Sequence, residues 1–150
     1  MNRILAAIDF SEVSPRIVGA AAELAKRFDA DLWLVHAAAP DPEFVGFEVG
    51  PESVRDKRAR ELRAEHRQLQ QFAADLRDRG LRAHALLVQG ATVETVIGEA
   101  RKLDAQLIVV GSHGRGMLMR AVLGSVSEGL VRHSPCPVLV IPARADAAGV

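Results

Sequence analysis

The chain has few cysteines, few aromatic residues and no excess of either charge. One cysteine, no tyrosine, 4% aromatic residues and a formal net charge of zero occur in 150 residues. A single cysteine excludes an internal disulfide. Balanced charge gives no electrostatic footprint for nucleic acid or an anionic membrane. No apolar run approaches the roughly 20 residues of a membrane span, and the N-terminus shows no secretory signal. These absences favour a soluble cytoplasmic protein.

Apolar strand patterns alternate with helical patterns along the whole chain. Hydrophobic residues make up 49% of it, which is enough for a real core at this length. Ser14, Thr92 and Gly80 are predicted caps. The alternation predicts one doubly wound α/β domain over residues 1–150, with a parallel sheet, an ordered core of about 2–142 and a frayed tail. The predicted strands cover 3–8, 32–37, 81–88, 105–110 and 137–141, and the helices lie between them.

The stretch from Leu107 to Ser127 organises the rest of the chain. Four consecutive apolar residues, 107–110, predict a buried parallel strand, glycines follow at once, and a helix begins at Ser125. A strand followed by a glycine-rich loop and a helix N-terminus is typical of an anion-binding site. The free backbone N–H groups and the helix dipole both attract negative charge there. The sequence lacks the Gly-Lys-Ser/Thr of a P-loop, and its glycines are not ordered as in a dinucleotide fingerprint.

The spacing of these glycines is specific. Gly111 and Gly114 are separated by two residues, nine more precede Gly124, and Ser125 follows. This G-x2-G-x9-G-[S/T] pattern resembles the ATP-binding signature of the universal stress protein family. The resemblance spans nearly the whole chain, from the first strand with Asp9 at its end to the closing segment 134–141. It implies a five-stranded sheet of order 3-2-1-4-5, ATP binding and a role in stress responses.

The resemblance also implies the residues of an ATP site. The Asp9 carboxylate is expected to face a ribose hydroxyl or the base, or to reach the phosphates through Mg²⁺; the alternative is a turn residue at a helix entry. Glycines let the backbone approach a phosphate, and the hydroxyls of Ser125 and Ser127 are expected to donate to it. The expected adenine and ribose contacts are the backbones of Ala7, Ile8, Asp9 and Ala37, and the expected phosphate contacts are Gly111, Gly114, Gly124, Ser125, Val126 and Ser127.

Several polar side chains have two interpretations. His113 either touches a phosphate or covers the loop, and Arg115 either clamps a phosphate or is solvated. His36 is interpreted as a hydrogen-bonded core histidine. The histidines and Cys136 show no metal-ligand spacing. The charges between Arg55 and Glu65 on the long second helix are interpreted as a solvated face and not as a nucleic-acid surface.

Three functions stay open. The first is an ATP-binding stress or signalling module whose nucleotide occupancy controls an unknown partner. The second is a slow ATPase, although Asp9 and His113 have no evident orienting partner and no catalytic residue is assigned. The third is a nucleotide-free dimeric scaffold. The closing strand is apolar on both faces, and an edge strand of that kind needs a cover. A homodimer through Val138, Leu139, Val140 and Ile141 is therefore predicted, and the resemblance implies the same.

Overall fold

The computed structural model describes residues 1–40, 52–112 and 123–143. Strands and helices alternate throughout these ranges, as predicted. The strands are β1 (Arg3–Ala7), β2 (Asp31–Ala38), β3 (Ala83–Gln89), β4 (Leu107–Gly111) and β5 (Val138–Ile141), and the helices are α1 (Ser14–Phe28), α2 (Glu52–Asp78), α3 (Thr92–Lys102) and α4 (Ser125–His133).

The five strands form one parallel sheet in the order β3-β2-β1-β4-β5. This confirms the predicted order. The chain moves outward from β1 to β2 and β3, then returns to the other side of β1 for β4 and β5. The winding direction therefore reverses between β1 and β4, and a doubly wound sheet binds its ligands at the carboxyl ends of the strands at such a point.

Along each strand, successive side chains lie on opposite faces of the sheet. Ile4 and Ala6 of β1 lie in a cluster with apolar residues of α1 and α2. Leu5 and Ala7 lie in a second cluster with residues of α3 and α4. The central strands are buried on both faces, which explains why β4 reads as an uninterrupted apolar run.

Two predicted helix caps are wrong by one residue. Val13 occupies the N-cap of α1, and Ser14 is the first helical residue. The Ser14 hydroxyl does not cap the helix because it donates to the Asp9 carboxylate at 3.3 Å. Ala91 likewise precedes α3, and its carbonyl accepts the Thr95 N–H at 2.9 Å, so Thr92 lies inside the helix.

The C-terminal end of α2 follows the prediction. Gly80 has a φ of +85°, a left-handed conformation that glycine adopts without strain. The N–H of Leu81 bonds back to the Leu76 carbonyl at 3.1 Å, which closes the last turn. Among the described residues, no helix combines the length and the apolarity that a membrane crossing requires. The predicted frayed tail falls outside the described ranges beyond Ala143.

Candidate functional site

A cavity of about 290 Å³ opens at the carboxyl edge of the sheet, where the winding reverses. It lies between the ends of β1, β2 and β4 and the first turns of α3 and α4. Every described residue of the predicted site lines it: Ala7, Ile8, Asp9, Ala37, Gly111, Gly124, Ser125, Val126 and Ser127. His113, Gly114 and Arg115 lie outside the described residues.

One side of the cavity is apolar. Its wall combines strand residues such as Val35 and Val110 with Ile17 from α1 and Val96 from α3. Gly124 and the first turn of α4 also line the cavity. An apolar wall that faces a few converging polar groups is typical of small-molecule sites, because the wall supplies burial and the polar groups supply orientation.

The polar side is the N-terminus of α4. The first intrahelical bond runs from the Glu128 N–H to the Gly124 carbonyl at 2.9 Å. The N–H groups of Ser125, Val126 and Ser127 precede that bond, so they have no partner within the helix. They lie at the positive end of the helix dipole, where a negative group is stabilised.

Ser112 fixes the start of α4 to the sheet. Its carbonyl accepts the Gly124 N–H at 2.7 Å and the Ser127 hydroxyl at 3.0 Å. The Ser127 hydroxyl also contacts the Gly124 carbonyl at 3.0 Å, and Ser127 is only 2% exposed. The single hydroxyl proton of Ser127 is thus directed at backbone carbonyls, in contrast to the expected donation to a phosphate. Ser125 is exposed, and its hydroxyl has no such bond.

The end of β1 forms a tight turn beside the cavity. Asp9 Oδ1 accepts the Ser11 N–H at 2.9 Å and the Ser14 hydroxyl at 3.3 Å. Phe10 adopts a φ of +59°, which is uncommon for a residue with a bulky side chain. These bonds give Asp9 the role of a turn residue at the entry to α1, which is the alternative that the sequence left open.

His36 is a hydrogen-bonded core residue, as interpreted from the sequence. It is 8% exposed. Its Nδ1 lies 2.7 Å from the Ile8 carbonyl oxygen, and its Nε2 lies 3.1 Å from Glu65 Oε2. The Phe10 ring packs against the imidazole with a centroid distance of 4.6 Å.

The interpretation of the α2 charges as one solvated face is wrong for two residues. Glu65 is turned inward to His36, and Arg58 donates to the Ala39 carbonyl at the end of β2. The inward position of Glu65 could have been predicted from helical spacing. Glu65 lies three residues after Leu62 and four before Leu69, so it falls on the apolar stripe of the helix. The other charges of this group are exposed, namely Arg55, Lys57, Arg60, Glu61 and Arg63.

Six lining residues were not among the predicted site residues, namely Ile17, Val35, His36, Thr92, Val96 and Val110. Thr92 and Val96 line the cavity from the first turns of α3. A helix that follows a strand begins at the carboxyl edge of the sheet, so Thr92 could have been placed near the site from the strand order alone. Within the described ranges, no group of three or more His, Cys, Asp or Glu side chains could hold a metal ion.

Comparison with known proteins matches residues 1–142 to the Universal stress protein family. Universal stress protein YxiE of Bacillus subtilis is 31% identical over 145 residues, which cover 93% of this chain and 98% of the relative. A universal stress protein of Thermus aquaticus is 34% identical over 140 residues, which cover 92% of this chain and 96% of the relative.

Solved structures show the same relationship. A universal stress family protein of Burkholderia pseudomallei has a TM-score of 0.72 and 33% identity, over 95% of this chain and 96% of its own. Two structures with lower identity share the fold. One is a universal stress protein in complex with cAMP (TM-score 0.63, 22% identity, 95% and 98% covered), and the other is an Arabidopsis thaliana member with AMP bound (0.65, 21%, 99% and 97%). With its fold and nearly its whole length matched, this chain belongs to the universal stress protein family.

Proposed function

We propose that this chain is an ATP-binding universal stress protein, in which nucleotide occupancy controls a protein partner. The observation that carries the proposal is the cavity at the winding reversal, whose lining combines apolar residues with the first turn of α4 and its free N–H groups. A nucleotide combines the two matching parts, since its base is flat and apolar on both faces and its phosphates are anionic. The related structures with AMP and cAMP support a nucleotide as the ligand class.

In the proposed arrangement the phosphates lie at the start of α4. The N–H groups of Ser125, Val126 and Ser127 donate to them together with the exposed Ser125 hydroxyl, and Gly124 keeps this approach free of a side chain. The signature residues His113, Gly114 and Arg115, which lie outside the described ranges, complete the predicted phosphate contacts. The base and ribose occupy the apolar end, beside Ala7, Ile8, Asp9 and Ala37.

Mg²⁺ enters this proposal with the nucleotide. The described residues gather no cluster of carboxylates for a metal, and Asp9 is already bonded to Ser11 and Ser14. Phosphate oxygens and water are ligands that Mg²⁺ prefers. Mg²⁺ therefore fits this site as the counter-ion of ATP, without a protein site of its own.

A binding module is favoured over an ATPase by the surroundings of Asp9 and His36, the two titratable side chains among the described residues that line the cavity. Hydrolysis requires an oriented water and a group that stabilises the transferring charge. Asp9 holds the entry to α1, and both nitrogens of His36 lie beside other acceptors. Neither side chain is arranged to activate a water, so a rate of phosphate release no faster than in buffer is expected.

The proposal includes a homodimer through Val138, Leu139, Val140 and Ile141. β5 is an edge strand, and among the described residues no strand pairs with its outer side. The carbonyls of Pro137 and Ile141 accept bonds from Ile108 and Ser112 of the β4 segment. Backbone direction alternates along a strand, so Val138 and Val140 direct their N–H and C=O groups away from β4. A second copy of β5 about a twofold axis would pair these groups.

Nucleotide content tests the proposal against a nucleotide-free scaffold. Freshly purified protein is denatured, and the released small molecules are separated by ion exchange beside nucleotide standards. Recovery of adenine nucleotide supports the proposal. An empty extract, combined with no binding of added Mg-ATP at millimolar concentration, supports the scaffold. Phosphate release from ATP, measured on the same sample, separates the module from the ATPase.

A further inference from the structure

The His36 ring lies between two hydrogen-bond acceptors. Nδ1 is 2.7 Å from the Ile8 carbonyl, and Nε2 is 3.1 Å from the Glu65 carboxyl group. A neutral imidazole has one N–H donor and one bare nitrogen. If Glu65 is ionised and the ring is neutral, only one of the two ring nitrogens can donate. The bare nitrogen then faces an oxygen lone pair, either of the Ile8 carbonyl or of the Glu65 carboxylate.

One additional proton removes this conflict. Either the ring is an imidazolium that donates to both acceptors, or the Glu65 carboxyl keeps its proton and donates to Nε2. In both forms the pair carries no net charge and makes two good hydrogen bonds. Loss of the proton leaves one net negative charge and breaks one of the two bonds.

The charged side chains that the described elements around the ring contribute have other partners. β1 contributes Asp9, whose Oδ1 is bonded to Ser11 and Ser14. α2 contributes Arg58 and Glu61 nearer its start, with their side chains 3.5 Å apart. Beside His36 on the sheet, β3 contributes Ala85 and Leu87, and the buried residues of α1 are apolar apart from Ser14.

The pair is directly connected to the cavity. His36 and Ile8 both line it. The ring binds the Ile8 carbonyl and packs on Phe10, so it contacts the strand end on both sides of Asp9. A change in the ring's hydrogen bonds therefore acts on the turn that borders the proposed ribose end.

We propose that His36 and Glu65 are a proton-bearing positioning pair that holds the end of β1 at the cavity, so that nucleotide affinity depends on the proton they share. This rests on the proposed function. A nucleotide is a polyanion and is disfavoured by a new negative charge at the cavity wall. Affinity is therefore lower in the state of the pair that lacks the shared proton. Because linkage is reciprocal, nucleotide binding strengthens proton retention.

Glu65→Gln is the test variant, because glutamine has the shape of glutamate and can donate to a bare Nε2. The neutral ring then donates Nδ1–H to Ile8 with every bond satisfied and no additional proton. Glu61→Gln is the matched control, since it removes an exposed carboxylate one turn earlier on the same helix. Calorimetry measures ATP affinity of the three proteins from about pH 5 to pH 9, the interval in which histidines titrate.

The phosphate of ATP also titrates in this pH interval and affects the affinity of all three proteins. The test is therefore the difference between their pH profiles. We expect the affinity of the native chain and of Glu61→Gln to fall at least about fivefold more across the range than that of Glu65→Gln, the low end of usual coupling between sites. Equal pH profiles in Glu65→Gln and the native chain overturn the coupling. Absence of ATP binding at every pH overturns the proposed function and, with it, the coupling.

Nuclear magnetic resonance of the unliganded native protein tests the pair without nucleotide and without a variant. Two protonated nitrogens on His36, or a protonated Glu65 carboxyl, support the shared proton. A ring with one bare nitrogen beside an ionised Glu65 over the whole pH range overturns it, whatever the nucleotide data show. Melting curves establish that each variant is folded before its affinity is compared.

Discussion

Two serines at the start of α4 show how the backbone assigns different roles to the same residue type. Ser125 is exposed at the cavity, whereas Ser127 is buried and donates to the carbonyls of Ser112 and Gly124. The sequence places both in one signature and does not distinguish them. The difference arises because one side chain points toward solvent and the other toward the end of β4.

This difference predicts opposite effects of removing each hydroxyl. Ser125→Ala should weaken ATP binding by about 1.5–3 kcal/mol, the usual contribution of a hydrogen bond to a charged group, with stability little changed. Ser127→Ala should lower the free energy of unfolding by about 1 kcal/mol, because a buried bond between loop and helix is lost. Urea unfolding and calorimetric titration of both variants measure the two quantities. A stability loss confined to Ser125→Ala would contradict the assignment.

At the scale of helices and strands, most of the fold could be predicted from hydrophobic pattern. The buried runs of β1 and β4, the glycine that ends α2 and the alternation of elements all follow from local physics. The caps at Ser14 and Thr92 were misplaced because tertiary partners and backbone geometry determine the first helical residue. The partnership of Glu65 with His36 depends on how α2 packs across the sheet, which the sequence of α2 alone does not contain.

The packing of α3 against α4 also rests on one small residue. A Cβ built on Gly129 of α4 lies 2.9 Å from Val93 Cγ2 of α3, whereas a Cβ on Gly98 of α3 meets nothing within 4 Å. Val93 is β-branched and turns little about χ1, so it yields poorly to the added atom. The close approach of α4, whose N-terminus faces the cavity, therefore requires a glycine at this position.

Matched alanine substitutions test this contact. Gly98→Ala should raise the free energy of unfolding by about 0.5–1 kcal/mol, because alanine loses less backbone entropy in a helix. Gly129→Ala should lack that gain or be destabilising, since the helices must move apart. Chemical unfolding of both variants and of the native chain measures these changes in the free energy of unfolding. Equal stabilisation by the two substitutions would show that the helix contact has room for a methyl group.

At the scale of the whole molecule, the edge strand β5 is the feature that needs an explanation. Leu139 is 37% exposed on β5, and Val131 of α4 is 50% exposed. An apolar edge strand with unpaired backbone groups promotes association. The proposed pairing with a second copy would use those groups and would limit the assembly to two chains.

The dimer can be tested at one amide. Val140 directs its N–H away from β4, so Val140→Pro removes a donor from the proposed interface while it keeps the bonds to β4. Val140→Ala is the matched control, because it shortens the side chain and keeps the donor. Analytical ultracentrifugation should find dimers for the native chain and Val140→Ala and monomers for Val140→Pro. A native monomer at tens of micromolar would refute the dimer, and a dimeric proline variant would place the interface elsewhere.

Titration of the purified chain with Mg-ATP in a calorimeter tests directly whether the cavity binds ATP. We expect a dissociation constant in the micromolar range, equivalent to a binding free energy of about 8 kcal/mol at 1 μM. Gly124→Val serves as the paired variant. Its backbone, at φ −63° and ψ 161°, accepts valine without strain, and the branched side chain would enter the proposed phosphate approach. The predicted result is binding by the native chain and none by a folded Gly124→Val protein. No heat and no shift of the melting temperature at millimolar Mg-ATP, or unchanged affinity in Gly124→Val, would contradict the account.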